Sequence, residues 1–333
     1  MSSTVLVTGA SGFIAKHIVR ELLDRGYRVR AGVRSPAGRA QVEALFPDAA
    51  LTFVSLDLSA DDGWAEAMIG VDVLIHTASP FPATDPADRT DLISPAVEGT
   101  LRALGAAHDA GVTRVILTSS CAAIYKPAEA DLSQPRTRDD WTDPDGPATS
   151  AYEASKTLAE RAAWDFVDAH PGLSMTVINP GAVFGPPMDE HYGTSLGYVE
   201  QVLSGREPFL PRLSMPVVDV RDVARMHVGA ITTPETIGQR FPANAGAMAL
   251  PAMARAVADA YPHQRIHARV APAWLIHVMA RFHPPMRMIA ANLGVNGEVD
   301  GGDGPALMGF SYIRSKDALL ASAEYLLARA DAR

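Results

Sequence analysis

Between residues 4 and about 180 the chain alternates short apolar runs, rich in β-branched side chains, with longer stretches in which apolar residues return every third or fourth position. The short runs are Thr4–Thr8, Arg28–Val33, Leu51–Leu56, Val71–His76, Arg114–Thr118 and Met175–Asn179. Runs this continuous predict parallel strands covered on both faces and joined by right-handed helical crossovers. The intervening helices are predicted over Gly12–Arg25, Arg39–Phe46, Asp61–Ile69, Asp88–Ala110 and Ala151–Ala169. This order is that of a doubly wound, Rossmann-type α/β sheet.

Beyond Asn179 the rhythm changes. Gly181–Pro216 is rich in Gly and Pro; a short strand follows near Val217–Asp219, and then helices near Val220–Thr232, Leu250–Tyr261, Ala273–Phe282 and Ser315–Arg329. A mostly helical remainder extends a parallel sheet little, so it is expected to pack as a smaller lobe over the C-terminal ends of the strands, with a substrate pocket between the two. The predicted division is a first domain over 1–180 and the smaller lobe over 181–333, with 217–235 returning to the first domain. Lys126–Pro147 and Asn292–Gly309 read as loops. Met279, Met286 and Met288 with Phe282 form an apolar stretch that reads as core packing before it reads as a substrate wall.

Length and composition narrow the picture further. At 333 residues the chain can bury a sizeable core, and its formal net charge of −9 opposes contact with phosphate-rich surfaces, so neither a nucleic acid nor a membrane is expected as partner. No window approaches the roughly 18 uninterrupted apolar residues of a membrane-spanning helix. The opening MSSTVLVTGASGF reads as a first strand running into a glycine turn rather than as a signal peptide. With Cys121 as the one cysteine, a disulfide framework or multi-thiolate metal site within the chain is excluded, and a reducing, cytoplasmic setting is expected. Cys121 itself reads as a small packing residue. The histidines His76, His108, His227, His267 and His277 follow no metal-ligand spacing, so no metal is expected.

The glycine turn is the first stretch that carries chemistry. Gly9 and Gly12 stand where a strand passes into a helix, so backbone N–H groups can approach a pyrophosphate at the helix N-terminus. Ser11, Phe13 and Ile14 belong to the same turn. About twenty residues on, where a carboxylate would accept from a ribose 2′-hydroxyl, the chain reads AGVRSPAGR and offers Arg34, with Arg39 behind it, as cations for a 2′-phosphate. Asp57, with Leu58 beside it, follows the third strand and could accept from an adenine amino group. Thr77, Ala78 and Ser79, after the fourth strand, would line the cofactor trench with small residues, a plain loop role being the competing reading for each.

In TSAYEASK the i, i+4 spacing sets Tyr152 and Lys156 on one helical face, and Ser150 with Glu153 forms a capping box that starts the helix just before the tyrosine. A nearby ammonium is expected to lower the phenol pKa from about 10 and so make Tyr152 an acid–base group. A hydroxyl to hold the substrate oxygen comes from LTSSCAAIY at the end of the fifth strand, Ser120 being preferred to Ser119. Phe81, Tyr192 and Met215 are expected to line an aromatic-accepting substrate pocket.

In this order TGASGFIA, VRSP, LDLS, TASPF, PAVEGTLRAL, TSSCAA, YEASKTLAE, INPGAVFGP and VVDVRDVARMHV resemble the extended short-chain dehydrogenase/reductase superfamily, and within it the dihydroflavonol reductase-like and related aldehyde or ketone reductases. The match is strong through Asp222 and weak afterwards, with GFSYIRSKDALLASAEYLL similar to the family's terminal helix. The resemblance implies NADP(H) as cofactor, catalysis by Ser120, Tyr152 and Lys156, and cofactor contacts from Pro180, Val183 and Ser195. Two departures stand out. Gln41 occupies the place of a second basic residue, so Arg39 must substitute for it or the phosphate preference weakens. The NWYCYAK-like block of cinnamoyl-CoA reductases is absent, which counts against that activity. The reaction expected is reversible hydride transfer between NADPH and a small carbonyl, in a monomer or homodimer. The competing readings are an NAD-dependent nucleotide-sugar epimerase or dehydratase, against which the missing acid after the second strand counts, and a non-catalytic dinucleotide sensor, which would need neither Tyr152 nor Lys156.

Overall fold

Along β1 (Thr4–Thr8), Val5 and Val7 enter one hydrophobic core while Leu6 enters a second on the opposite side of the sheet. All three side chains are fully buried, which is why the sequence there shows no polar alternation. The computed structural model describes residues 3–47, 49–80, 86, 88–128, 131 and 133–331. After β1 the chain runs through α1 (Phe13–Asp24), β2 (Arg28–Val33), α2 (Pro36–Leu45), β3 (Leu51–Ser55), α3 (Trp64–Met68), β4 (Val73–His76), α4 (Thr90–Asp109), β5 (Arg114–Thr118), α5 (Ala151–Ala169) and β6 (Ser174–Pro180).

The second half contributes β7 (Ala182–Phe184), α6 (Leu196–Ser204), β8 (Ser214–Asp219), α7 (Val220–Thr232), β9 (Arg240–Ala243), β10 (Ala247–Ala249), α8 (Leu250–Ala260), α9 (Ala273–Ala280), α10 (Pro284–Ala291), α11 (Gly304–Leu307) and α12 (Ser315–Asp331). Among the described residues the main sheet has seven strands in the order β3-β2-β1-β4-β5-β6-β9, all neighbours parallel. The order reverses between β1 and β4, and the crevice at that reversal opens at the strand C-termini, where such sheets take their ligands. A second sheet has the order β10-β8-β7, with β8 antiparallel to β10 and parallel to β7.

The predicted strands and helices of the first half are present with ends shifted by a few residues. The second half departs more from expectation. The stretch read as a Gly/Pro-rich connection holds β7 and α6, and the returning segment does not stop at residue 235 but continues to β9, which adds the seventh strand beside β6. α7 packs on α1 and closes the first core, so the main sheet is completed by residues from both halves. The side chains of Phe282 and Met279 are exposed, against the reading of that stretch as core.

What fixes β9 is electrostatic. Arg240 donates through Nε to Glu160 of α5 at 2.5 Å, and through one Nη to the carbonyls of Arg138 and Asp140 at 2.8 Å, while its guanidinium lies 3.6 Å from the Trp141 ring centroid. Both members of the pair are buried, so removing one leaves the other without its countercharge in a dry site. Arg240→Met is therefore expected to lower equilibrium unfolding stability by about 3–5 kcal/mol. Glu21→Ala, which breaks the partly exposed Arg25–Glu21 pair on α1, is expected to change it by no more than about 1 kcal/mol. A loss for Arg240→Met as small as that of Glu21→Ala in chemical denaturation would contradict this account of β9.

Candidate active site

Above the C-terminal ends of β1, β4, β5 and β6 lies an open trench of about 630 Å³. Of the residues singled out from the sequence, Gly9, Ser11, Gly12, Phe13, Ile14, Thr77, Ser79, Ser120, Tyr152, Lys156, Pro180, Val183 and Ser195 all line it. The turn that makes its floor needs glycine: Gly9 has φ +63°, and a Cβ there would stand 3.0 Å from the Cα of Ala78. Ala78 thus shapes the trench from behind, its N–H donating to Thr8 Oγ1 at 3.1 Å. The first turn of α1 has no capping side chain and no acidic residue, so its N–H groups remain available to an anion. Ser195 accepts from the N–H of Val183 at 3.2 Å and so pins β7 to the strap that residues 189–195 form along the trench.

The cluster at the end of the trench is assembled by α5. Ser150 Oγ accepts from the N–H of Glu153 at 3.2 Å and Glu153 Oε2 accepts from the N–H of Ser150 at 2.7 Å, the reciprocal cap that sets the helix start. Within the first turn, Tyr152 is hydrogen-bonded to Ser120. Lys156 Nζ stands 5.9 Å from the Tyr152 ring centroid and donates to Ser79 Oγ at 3.0 Å. The expected lowering of the phenol pKa is not what this geometry gives. Burial pushes the Tyr152 hydroxyl up, the Ser120 hydrogen bond opposing it, so at neutral pH the phenol stays protonated. Burial also brings Lys156 down to about 8, with the Glu160 carboxylate one turn further along holding it up in part.

Glu160 was not singled out from the sequence, although it extends the 152, 156 stripe by one more step of four. Its fully buried carboxylate accepts from Ser119 Oγ at 2.5 Å, Asn179 Nδ2 at 2.7 Å and Arg240 Nε at 2.5 Å. Asn179 Nδ2 lies 3.3 Å from the carbonyl of Ser120. Ser119 is thereby an anchor and Ser120 the hydroxyl that faces the trench, which separates the roles of the adjacent serines. Cys121 is buried and donates to the Asn179 carbonyl at 3.1 Å, and burial pushes its thiol far up, as suits a packing residue. His76 is brought down to about 3 and His227 to about 4 by burial, so both are neutral parts of the fold. Among the described residues no cluster of His, Cys, Asp and Glu is suited to a metal ion.

The adenosine end is more open. Arg34 is exposed just past β2, and Arg39 on α2 is engaged by Glu43 at 2.8 Å and lies 4.9 Å from the Phe53 ring centroid; neither lines the trench cavity. Asp57 Oδ1 accepts from the N–H and hydroxyl of Ser59, which together hold its carboxyl below the usual range, while Leu58 packs against Gly99 of α4. Gln41, in the place of the family's second cation, is bonded to His191 Nε2 at 3.1 Å. Lys16, buried in α1, forms an ion pair with Asp189 and donates to the His191 carbonyl at 2.8 Å, so the strap over the trench is tied down at several points.

On the other side of Ser120 and Tyr152 a second cavity of about 480 Å³ is lined by Tyr125, Tyr198, Gln201 and Met215 among others. Through Tyr125, Tyr198 and Met215 it continues into a cavity of about 250 Å³ whose far wall is Ile289, Asn292 and Val295. Of the expected substrate residues, Met215 faces this space. Tyr192 lies instead on the trench wall, its hydroxyl donating to Glu200 at 2.6 Å, and Phe81 lies outside the described residues. Tyr125 and Tyr198 went unrecognised because nothing local in the sequence marks them as facing the cavity.

A dinucleotide-type trench that ends on a hydrogen-bonded serine and tyrosine with a buried lysine defines an oxidoreductase of the short-chain dehydrogenase/reductase type. The chain belongs to the NAD dependent epimerase/dehydratase family, whose model matches residues 5–246. It is 37% identical over 290 residues to the ketoreductase azaE of Aspergillus niger, covering 79% of this chain and 83% of that one. It is 38% identical over 250 residues to cinnamoyl-CoA reductase CAD2 of Medicago truncatula, covering 72% and 75%. Among solved structures it is similar to the yeast methylglyoxal/isovaleraldehyde reductase Gre2 complexed with NADPH, with a TM-score of 0.83, 28% identity and coverage of 98% of this chain and 99% of that one.

The lowered Lys156 pKa carries a stability consequence. An ordinary lysine titrates near 10.4, so below about 8 the native state holds a charge that burial disfavours, and between the two values the unfolded state binds the extra proton. Stability of the unliganded protein then rises with pH across that window. Lys156→Met is expected to raise the unfolding temperature at pH 7, and this advantage over the parent should shrink toward pH 10. A variant less stable than the parent at pH 7 in calorimetry would show that Lys156 is a net structural support.

Proposed function

We propose that this chain reduces a small aldehyde or ketone to an alcohol with NADPH, using Ser120 and Tyr152 to hold and protonate the carbonyl oxygen. The single observation that carries the reading is the Ser120–Tyr152 hydrogen bond at the border between the trench and the cavity of Tyr125, Tyr198 and Met215. NADPH, when bound, supplies the hydride. The protein supplies the rest: Ser120 and Tyr152 donate toward the oxygen as charge develops on it, and the protonated phenol completes the alcohol. A phenol kept protonated by burial suits the reducing direction. Lys156, poised between Ser79 and the tyrosine face, would hold the cofactor ribose and offset the charge left on the phenol. The trench fits the cofactor because its glycine floor, uncapped α1 terminus and polar lysine end match a pyrophosphate and a ribose in sequence. The relatives' names also point to carbonyl reduction, and the NADPH complex of the yeast structure points to the same cofactor. The buried thiol of Cys121 is consistent with a reducing, cytoplasmic setting.

For cofactor choice, Arg34 is exposed and free to meet a 2′-phosphate, whereas Arg39 would first have to leave Glu43. Arg34→Ala is expected to weaken NADPH binding roughly tenfold to a hundredfold, since a charge-assisted hydrogen bond contributes about 1.5–3 kcal/mol, and to spare NADH. Equal losses for the two cofactors in fluorescence titrations would remove Arg34 from that role.

The test of the reaction itself is NADPH oxidation against a panel of 2-oxoaldehydes, branched aliphatic aldehydes and aryl ketones. Tyr152→Phe is expected to lose at least about a hundredfold in kcat, as removal of a general acid does, with NADPH affinity nearly unchanged. Turnover reduced less than tenfold in that variant would remove the tyrosine from its role, and no turnover by the parent with any carbonyl would overturn the function.

A further inference from the structure

The smaller lobe carries an apolar surface that its own fold leaves open. α9 is apolar almost all round, a composition that ordinarily marks a buried helix. Only Ile276 is buried there. Trp274 is 68% exposed, and the stripe continues through Val278 and Met279 to Phe282, which is 75% exposed just past the helix end. A bridge between Leu210 and Val270 brings the exposed Phe209 and Val270 against the approach to α9. Large apolar side chains this open and this close together mark a contact surface rather than scattered solvent exposure.

The charge around the patch is as uneven. From Ala260 to Gly297 there is no acidic residue, in a chain whose net charge is −9. The same stretch holds Arg265, Arg269, Arg281 and Arg287, all exposed, and none forms an ion pair with a described carboxylate. Arg287 donates instead to the carbonyl of Ala280 at 3.1 Å and so caps α9. A second copy meeting this face symmetrically would bring arginines against arginines. An aromatic and thioether stripe rimmed by unpaired guanidinium groups is complementary to an apolar layer beneath a negatively charged one.

We propose that α9 and its flanking arginines form a docking face for an anionic lipid surface, with Trp274 and Phe282 entering the interface. The acidity of the whole chain does not forbid this, because at physiological ionic strength charges beyond about 8 Å are largely screened and the local arginines dominate at contact. The contact is peripheral, since no helix among the described residues is long and apolar enough to cross a membrane. The placement has a functional logic. α10, which packs against α9, supplies Ile289 to the far wall of the cavity behind Met215, so the docked face lies beside the space proposed for the substrate.

The experiment is sedimentation of the full chain with vesicles of phosphatidylcholine alone and of phosphatidylcholine with phosphatidylglycerol. Binding is expected only with the anionic lipid and is expected to fall steeply with added salt. Trp274→Ser with Phe282→Ser, and separately Arg269→Glu with Arg281→Glu, should each weaken it more than tenfold. Both variants should keep the unfolding temperature and NADPH affinity of the parent, because these side chains touch neither the trench nor the core. Absence of binding to the anionic vesicles, or equal binding to both kinds, would overturn the proposal. So would a dimer in vesicle-free solution, by analytical ultracentrifugation, that the Trp274→Ser and Phe282→Ser pair dissolves, for the patch would then be covered by a second copy. No outcome depends on turnover, so the result stands apart from that of the carbonyl panel.

Discussion

One buried carboxylate, that of Glu160, constrains more of this molecule than any other group. A charge at full burial is tolerated only where donors surround it. Here they come from Ser119 at the end of β5, Asn179 near the end of β6 and Arg240 at the start of β9, while Glu160 itself belongs to α5. Three adjacent strands and the helix that carries Tyr152 and Lys156 are therefore fixed to one point. Because Ser119 and Asn179 both flank Ser120, satisfying the buried charge and positioning the hydroxyl proposed to hold the substrate oxygen are the same event. The seventh strand, which no helical crossover of the first half demands, is required as the source of the countercharge.

The same helix face sets up the opposed behaviour of the site's two titratable groups. Burial raises the tyrosine and lowers the lysine, so each is pushed toward its neutral form. For the tyrosine this favours a proton donor at neutral pH. For the lysine it means that the charge needed near a negatively charged cofactor is held at the expense of stability, with Glu160 one turn away limiting that expense without pairing with the ammonium directly. A lysine on the surface would keep its charge freely but would have little field to offer; a lysine paired outright would have its field cancelled.

What the sequence made legible follows how local each signal is. Each of the strands from β1 to β6, the glycine turn, the capping box and the i, i+4 pair is written within a few residues, and the trench brings the glycine turn together with Tyr152 and Lys156. β9 was not legible: its four residues include an arginine and a proline, and its place depends on Glu160, which lies 80 positions earlier. β7 and β10 are three residues each and have no periodicity to detect. The phenol pKa went in the opposite direction from expectation because burial of the hydroxyl outweighs its hydrogen bond to Ser120, and i, i+4 spacing specifies neither that burial nor that the ammonium points at Ser79. For α9 the composition suggested core and the structure shows surface, since hydrophobicity alone does not say what covers a helix.

The division of labour between trench and cavity follows from where the proposed reactive groups stand. Ser120 and Tyr152 line both the trench and the cavity beyond it, so they form the wall through which the two spaces meet. On the trench side the lining comes largely from the strand ends and from the turn that opens α1, positions held by sheet register and by the buried carboxylate. On the other side the lining comes mainly from Tyr125, Tyr198, Met215, Ile289 and Val295, carried on loops, short elements and α10. Changes in that second set would alter the shape of the cavity proposed for the substrate without disturbing the register that fixes the hydroxyls. A fold arranged in this way can hold its chemistry constant while its substrate varies, and this accounts for the likeness of one chain to reductases whose names specify carbonyl compounds as different as methylglyoxal and a cinnamoyl thioester.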